Sequence, residues 1–129
     1  MRSLLVMLIG LVAGCTQFGN VTVDEIRAAQ NKRGEGYIAM SIPDMREALR
    51  EYAVSCRDLG TLSVDATHPG RAAYTVASPG HGSPDIAVRI DLQQIGLNTR
   101  YQAYISDQTW RARMEEALYV MGGGKDCRK

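Results

Sequence analysis

Alternating apolar and polar side chains mark four runs between residues 61 and 105 of the 129-residue chain. A period of two is typical of β-strands that bury one face and leave the other in water. Short glycine-containing segments separate the runs, and they are too short for the helical crossovers that parallel strands need. The sequence therefore predicts four antiparallel strands that share one apolar face. The predicted inward side chains are Leu62, Val64, Ala66, Ala72, Tyr74, Val76, Ile86, Val88, Ile90, Leu92, Thr99, Tyr101, Ala103 and Ile105.

One more strand, over residues 37–42, and two amphipathic helices flank these runs. Ser41 stands where a helix cap belongs, and apolar side chains at helical spacing continue over residues 43–57, with Gly60 as the stop. A second helix is predicted over residues 107–121 and is followed by a glycine. The order of strand, helix, four strands and helix predicts a two-layer α+β fold. In it, an antiparallel sheet of four to five strands packs against two helices.

The first fifteen residues differ from the rest of the chain. Arg2 precedes an apolar run over residues 4–12, which is too short to span a bilayer and matches the hydrophobic region of a secretory signal. The run ends in Val12-Ala13-Gly14-Cys15, which resembles the lipobox of bacterial lipoproteins. The resemblance implies attachment of diacylglycerol to the Cys15 sulfur, removal of residues 1–14 as a signal peptide, and acylation of the new terminus. Two or more acyl chains, such as palmitate, hold a protein stably on a membrane.

The residue after this cysteine is Thr16. An aspartate there commonly signals inner-membrane retention of lipoproteins, so the resemblance implies an outer-membrane anchor that faces the periplasm. The alternatives are a plain signal peptide and a buried N-terminal helix with an incidental cysteine. We expect residues 15–35 to be the lipidated N-terminus and a tether, and residues 36–129 to form a single globular domain. The capping-box spacing of residues 22–25 predicts a short helix within the tether.

Two cysteines remain when Cys15 carries lipid, and an even pair in an oxidising compartment is typical of a disulfide. The sequence therefore predicts a bridge between Cys56 and Cys127. The alternatives are a metal site and a redox pair. The two cysteines do not form the CxxC spacing that a redox pair or a typical zinc site uses. Only His68 and His81 could add histidine ligands, so we expect no metal.

The order of the predicted elements resembles the helix-grip, or TBP-like, arrangement of some periplasmic lipoproteins. That resemblance concerns the fold, and it implies that a hydrophobic ligand sometimes lies between helix and sheet. Tyr52, Tyr74, Tyr101 and Trp110 fall mostly on predicted inward faces, where core packing and a ligand cavity are the two interpretations. The layout of a lipobox followed by a small domain with two late cysteines is similar to small proteobacterial lipoproteins of unknown function.

Motifs that carry chemistry are largely missing from the sequence. It contains no GxSxG, HExxH or EF-hand pattern. Residues 122–125 resemble a phosphate loop only superficially, because a helix precedes them and Asp126 replaces the required hydroxyl residue. His81 lies between two glycines in a turn-rich loop, without an identifiable nucleophile or orienting partner. We therefore expect no catalytic residues and no cofactor. With 15 basic and 14 acidic side chains, we also expect no nucleic-acid partner.

The candidate binding surface comes from the outward positions of the last two predicted strands. If these strands are neighbours, their outward side chains form a polar patch with one aromatic residue; the alternative is an ordinary solvated sheet face. This partner surface comprises Arg89, Asp91, Arg100, Gln102 and Tyr104. The leading hypothesis is a lipid-anchored envelope protein that binds a protein partner or assists envelope assembly. The alternatives are a periplasmic small-molecule or lipid-binding domain and a hydrolase that uses His81.

Overall fold

The computed structural model describes residues 22–78 and 85–128, which form a five-stranded antiparallel sheet with helices packed on it. The strands are β1 (Lys32–Ile38), β2 (Thr61–Val64), β3 (Arg71–Ser78), β4 (Asp85–Ile95) and β5 (Asn98–Ile105). They lie side by side in the order β1-β5-β4-β3-β2. The helices are α1 (Val23–Ile26), α2 (Ile42–Ser55) and α3 (Arg111–Met121), with short 3-10 turns at Ala29–Asn31 and Gln108–Trp110. This architecture confirms the predicted two-layer α+β fold.

One face of the sheet, which we call the inner face, packs against α2 and α3. Alternate residues of the central strand β4 are buried there, namely Val88, Ile90 and Leu92. The predicted inward positions of β3 and β5 are also buried or packed against this core. Tyr74 has no exposed surface, and its hydroxyl donates a hydrogen bond of 2.6 Å to the Leu59 carbonyl. The alternation therefore identified the core face of these strands correctly.

Helix α2 begins where its cap predicts. The Ser41 hydroxyl accepts a hydrogen bond from the Asp44 backbone N–H at 3.3 Å, which satisfies one of the free donors of the first turn. The Ile42 N–H donates to the side-chain oxygen of Gln94 at 3.0 Å, and this contact joins the start of the helix to β4. Met45 and Tyr52 carry its buried face.

Helix α3 follows a 3-10 turn that Asp107 caps by accepting a hydrogen bond from the Thr109 N–H at 2.8 Å. Its apolar stripe matches the sequence prediction, since Met114, Ala117 and Met121 are buried against the core. Gly122 follows as the C-terminal cap. Both predicted helices are therefore present.

The first strand differs from its prediction. It spans Lys32–Ile38 instead of residues 37–42, and Ile42 belongs to α2. The sequence of β1 does not alternate between apolar and polar residues, because a glycine, Gly36, takes the position opposite Tyr101. A Cβ atom at Gly36 would lie 3.2 Å from the Tyr101 ring. Both β1 and α1 lie partly or wholly inside the expected tether of residues 15–35, so residues 22–35 belong to the folded domain.

The sequence predicted that Gly60 ends α2, but the helix ends earlier, at Ser55, and Cys56 is its C-terminal cap. The glycine has another role. Its φ of 156° brings the backbone so close to β3 that an added Cβ atom would lie 2.5 Å from the Thr75 carbonyl oxygen. Glycine is therefore needed for the close approach of the chain as it enters β2.

Helix α1 lies on the opposite, outer face of the sheet, where it packs against β4. The Thr22 hydroxyl accepts a hydrogen bond from the Glu25 N–H at 3.3 Å, as the capping-box spacing predicts. Ile26 is completely buried, although it is not part of the inner core. A four-residue helix is not stable alone. Docking on the sheet therefore accounts for its order.

Candidate functional site

The outer face of the sheet carries a concave groove with a volume of about 740 Å³. We call it the sheet groove. All five residues of the predicted partner surface line it, and Arg27, Asp65, Arg71 and Gln93 contribute further polar walls. Strands β4 and β5 are neighbours, so Arg89 stands opposite Tyr104, Asp91 opposite Gln102, and Gln93 opposite Arg100. The structure thus brings together side chains that the sequence placed only on a common strand face.

A charge cluster forms the floor of the sheet groove. The Asp91 carboxylate accepts two hydrogen bonds from Arg27, at 2.8 and 2.9 Å, and one from Arg89 at 2.8 Å. The paired contact with Arg27 has the two-pronged geometry that guanidinium and carboxylate groups favour. It also raises the pKa of Arg27, chiefly through the hydrogen bonds to Asp91. Since Arg27 follows α1 directly, this cluster fastens the N-terminal helix to the centre of the sheet.

Tyr104 lines the sheet groove but is not the exposed aromatic residue that the sequence indicated. Only 7% of its surface is accessible. Its hydroxyl donates a hydrogen bond to the Gln102 side-chain oxygen at 3.2 Å. The exposed aromatic residue of this face is instead Tyr37, which stands opposite Arg100 on the edge strand β1 and is 68% accessible. The sequence did not indicate Tyr37, because Tyr37 joins this face only through the pairing of β1 with β5, which are far apart in the chain.

The two late cysteines meet beyond the ends of α2 and α3. Cys56 and Cys127 lie at disulfide-bonding distance, with Cα atoms 5.4 Å apart, as the sequence predicted. Hydrogen bonds also hold the C-terminal tail: the Asp126 N–H donates to the Tyr119 hydroxyl at 3.1 Å, and the Arg128 N–H donates to the Tyr52 hydroxyl at 3.0 Å. The tail is thus bound to both helices of the inner layer.

Glu116 is a buried charge that the sequence did not reveal. It is 3% exposed, accepts a hydrogen bond of 2.6 Å from the Tyr52 hydroxyl, and is ion-paired with Arg57. The hydrogen bond from Arg57 lowers the pKa of the Glu116 carboxyl. The cluster joins α3 to the end of α2, and it is structural because its carboxylate is fully engaged.

A second concavity, of about 320 Å³, lies between α2 and the glycines that follow α3. Acidic side chains of α2 and Lys125 line it. The space between the sheet and the two large helices is occupied by the side chains of the core.

Cys15 and His81 lie outside the described residues. His68 is exposed in the turn before β3, where its Nδ1 atom contacts the Thr67 hydroxyl at 2.9 Å. Within residues 22–78 and 85–128, no three His, Cys, Asp or Glu side chains lie close enough to hold a metal ion. None of the helices in these ranges has the length and apolar content that a membrane span requires.

Comparison of the chain with protein-family models, with curated proteins and with solved structures gives no match.

Proposed function

We propose that this protein is a non-enzymatic, lipid-anchored module of the cell envelope that binds a partner protein through the sheet groove. The observation that carries the proposal is the groove itself. Five outward residues of β4 and β5, together with Arg27, line one concave surface on the face of the sheet that the large helices leave open. A concave, mixed polar surface on a rigid sheet is well suited to hold a partner in one orientation.

The anchor part of the proposal rests on the sequence Val12-Ala13-Gly14-Cys15. A lipid on Cys15 would keep the domain within a short distance of the membrane. Only six residues separate Cys15 from Thr22, so the seven Cα–Cα steps between them span about 25 Å at most when extended. The lipid and the groove would then act together, because restriction to one surface raises the effective concentration of a partner on the same membrane.

The non-enzymatic part rests on how the groove uses its polar groups. Asp91 accepts three hydrogen bonds from two guanidinium groups. Asp65 accepts hydrogen bonds from the backbone and the hydroxyl of Thr67. A general base needs an oxygen that can reach a substrate proton. In this groove both oxygens of Asp91, the carboxylate at its floor, are instead engaged by Arg27 and Arg89.

The anchor is tested by labelling cells with radioactive palmitate. We expect label in the wild-type chain and none in Cys15→Ser, because serine has no sulfur for thioether formation. Absence of label from the wild type, in cells that lipidate a control lipoprotein, would refute the anchor.

The groove is tested with a photo-crosslinking amino acid placed at Gln102 in the full-length chain. Its matched control is the same amino acid at Val54, which is 86% exposed on α2, away from the groove. We expect a discrete crosslinked protein from position 102 and none from position 54, with loss of the product in Cys15→Ser. Crosslinking of the same protein from both positions would show that the groove is not the binding surface.

Binding of a small molecule is the second candidate function. The groove volume of about 740 Å³ falls within the range of small-molecule sites, about 300–1,000 Å³. Native mass spectrometry of the gently purified protein separates the two functions. A bound small molecule that is lost when Gln102 is replaced by a bulky Trp would favour this second candidate.

A further inference from the structure

Two of the four arginines that line the sheet groove have no partner within the described part of the protein. Arg27 and Arg89 are both held by Asp91. Arg71 and Arg100 are exposed, and within residues 22–78 and 85–128 neither forms a salt bridge or a side-chain hydrogen bond. Their guanidinium groups are therefore available to a ligand.

The register of the sheet places these two arginines on either side of one residue. Gln93 of β4 stands opposite Arg71 of β3 and opposite Arg100 of β5. Because neighbouring strands lie about 4.8 Å apart, the Cα atoms of Arg71 and Arg100, which are two strands apart, are separated by about 10 Å. Alternate side chains of an extended peptide are about 7 Å apart. The long arginine side chains can accommodate that difference, so both can reach carboxylates on alternate residues of one extended segment.

The arginines that line the groove outnumber its carboxylates. Four arginines face Asp65 and Asp91, and the Asp65 carboxylate keeps its negative charge because the hydrogen bond from the Thr67 N–H lowers its pKa. Glu35, on the edge strand near Arg100, is ion-paired with Lys32 at 2.7 Å. The contact with Lys32 is the main reason why the pKa of Glu35 is lowered, and Arg100 adds a smaller electrostatic contribution. The lining therefore carries an excess of two positive charges, and we call the part formed by Arg71, Gln93 and Arg100 the open end of the groove.

Exposed apolar side chains lie next to these arginines. Tyr37 stands opposite Arg100 on the outer face, and Ile95, two residues beyond Gln93 on the same face, is 50% exposed. This combination fits a protein segment that carries apolar side chains beside its carboxylates. It fits a flat bilayer poorly, because the arginines line a concavity.

We propose that the open end of the sheet groove binds an extended acidic segment of a partner protein, with Arg71 and Arg100 each receiving one carboxylate. This inference rests on the proposed function, since it names the chemistry of the partner that the groove would hold. Tyr37 and Ile95 contact apolar side chains of the same segment. Charge-assisted contacts of this kind weaken as the salt concentration rises.

Fluorescence anisotropy with the full-length protein in detergent tests the inference. The probe is a labelled peptide of alternating glutamate and valine, and the matched probe replaces each glutamate by glutamine. We expect the glutamate peptide to bind at least tenfold more tightly. The double variant Arg71→Gln/Arg100→Gln should lose about tenfold in affinity for it. Arg46→Gln is the matched control, because Arg46 is exposed on α2 without an ion pair in the described structure.

Three outcomes would overturn the inference. The two peptides could bind equally, the double variant could bind as the wild type does, or Arg46→Gln could lose as much affinity. Glycerol phosphate serves as a probe for a lipid headgroup. Binding of glycerol phosphate that requires both arginines, without binding of the glutamate peptide, would also exclude an acidic segment. Melting curves show whether each variant is folded.

The crosslinking experiment at position 102 keeps the two proposals separate. A specific crosslink that persists in Arg71→Gln/Arg100→Gln, together with no preference for the glutamate peptide, would refute the acidic segment and leave the groove as a protein-binding surface. Absence of a position-specific crosslink would refute the proposed function itself.

Discussion

Reduction of the bridge between Cys56 and Cys127 should destabilise the protein strongly. The two cysteines are 71 residues apart, so the bridge closes a long loop in the unfolded chain. In the chain-entropy description a loop of this length removes about 15 cal/mol/K from the unfolded state, or about 4 kcal/mol at 25 °C. Single domains are stable by only about 5–15 kcal/mol in total. We therefore expect the melting temperature to fall by about 15 °C for a domain of this size.

The folded state should change little on reduction, because hydrogen bonds also hold the tail. Asp126 and Arg128 donate their backbone N–H groups to the hydroxyls of Tyr119 and Tyr52. The Arg128 guanidinium lies 4.7 Å from the centre of the Tyr119 ring, within the range of a cation–π contact. The loss in stability should therefore arise mainly from greater freedom of the unfolded chain.

The assay is thermal unfolding of the full-length protein followed by circular dichroism, with and without a phosphine reductant. The variant Cys56→Ala/Cys127→Ala should melt close to the reduced wild type, and reductant should not change its midpoint. A second measurement is urea unfolding, in which the bridge should also change the slope by making the unfolded state more compact. A drop of less than about 2 °C after complete reduction of the wild type would refute the entropic argument.

Three further predictions concern single residues. Gly60→Ala should cost about 2 kcal/mol in urea unfolding, because the new Cβ atom would lie 2.5 Å from a backbone oxygen, whereas Gly70→Ala, with open space around it, should be nearly neutral. Ser41→Ala should cost about 1 kcal/mol, since it removes the cap of α2. Glu116→Gln should cost about 1–3 kcal/mol, because it weakens the contacts with Arg57 and with the rest of its buried cluster. The folded pKa of Glu116 lies below its ordinary value of 4.5, so this contribution is present above pH 4.5 and is lost as the pH falls further. Urea midpoints measured between pH 7 and pH 3 should therefore converge for wild type and Glu116→Gln, and a constant difference would contradict the assignment.

Much of the fold was predictable because alternation of polarity reports directly which side of a strand is buried. The inner residues of β3, β4 and β5 follow this rule. The first strand was not predictable, because Gly34 and Gly36 leave room for the ring of Tyr101 and so carry no apolar side chains themselves. Its pairing with the last strand is a long-range contact that no local pattern encodes.

The candidate site was predictable only in part, for a similar reason. The outward residues of β4 and β5 follow from strand periodicity and adjacency. Arg27, however, reaches Asp91 across 64 residues of sequence, and Tyr52 reaches Glu116 across the same separation. Such partners are set by the packing of α1 and α3, so composition and spacing cannot indicate them. The sequence therefore identified the surface but not the cluster that holds it in place.

Two groups of residues in the sheet groove have different roles, one structural and one available to a ligand, and their variants should therefore behave differently. Asp91 lies between two inward core residues of β4 and binds both Arg27 and Arg89, so its loss would leave two like charges facing each other and release α1. Asp91→Asn should therefore reduce stability and binding together. Arg71 and Arg100 are exposed and have no partner in the described structure, so their replacement removes charge without disturbing the core. A loss of affinity in Arg71→Gln/Arg100→Gln at an unchanged melting temperature would separate recognition from folding, because the residues that build the groove are not those that receive the ligand.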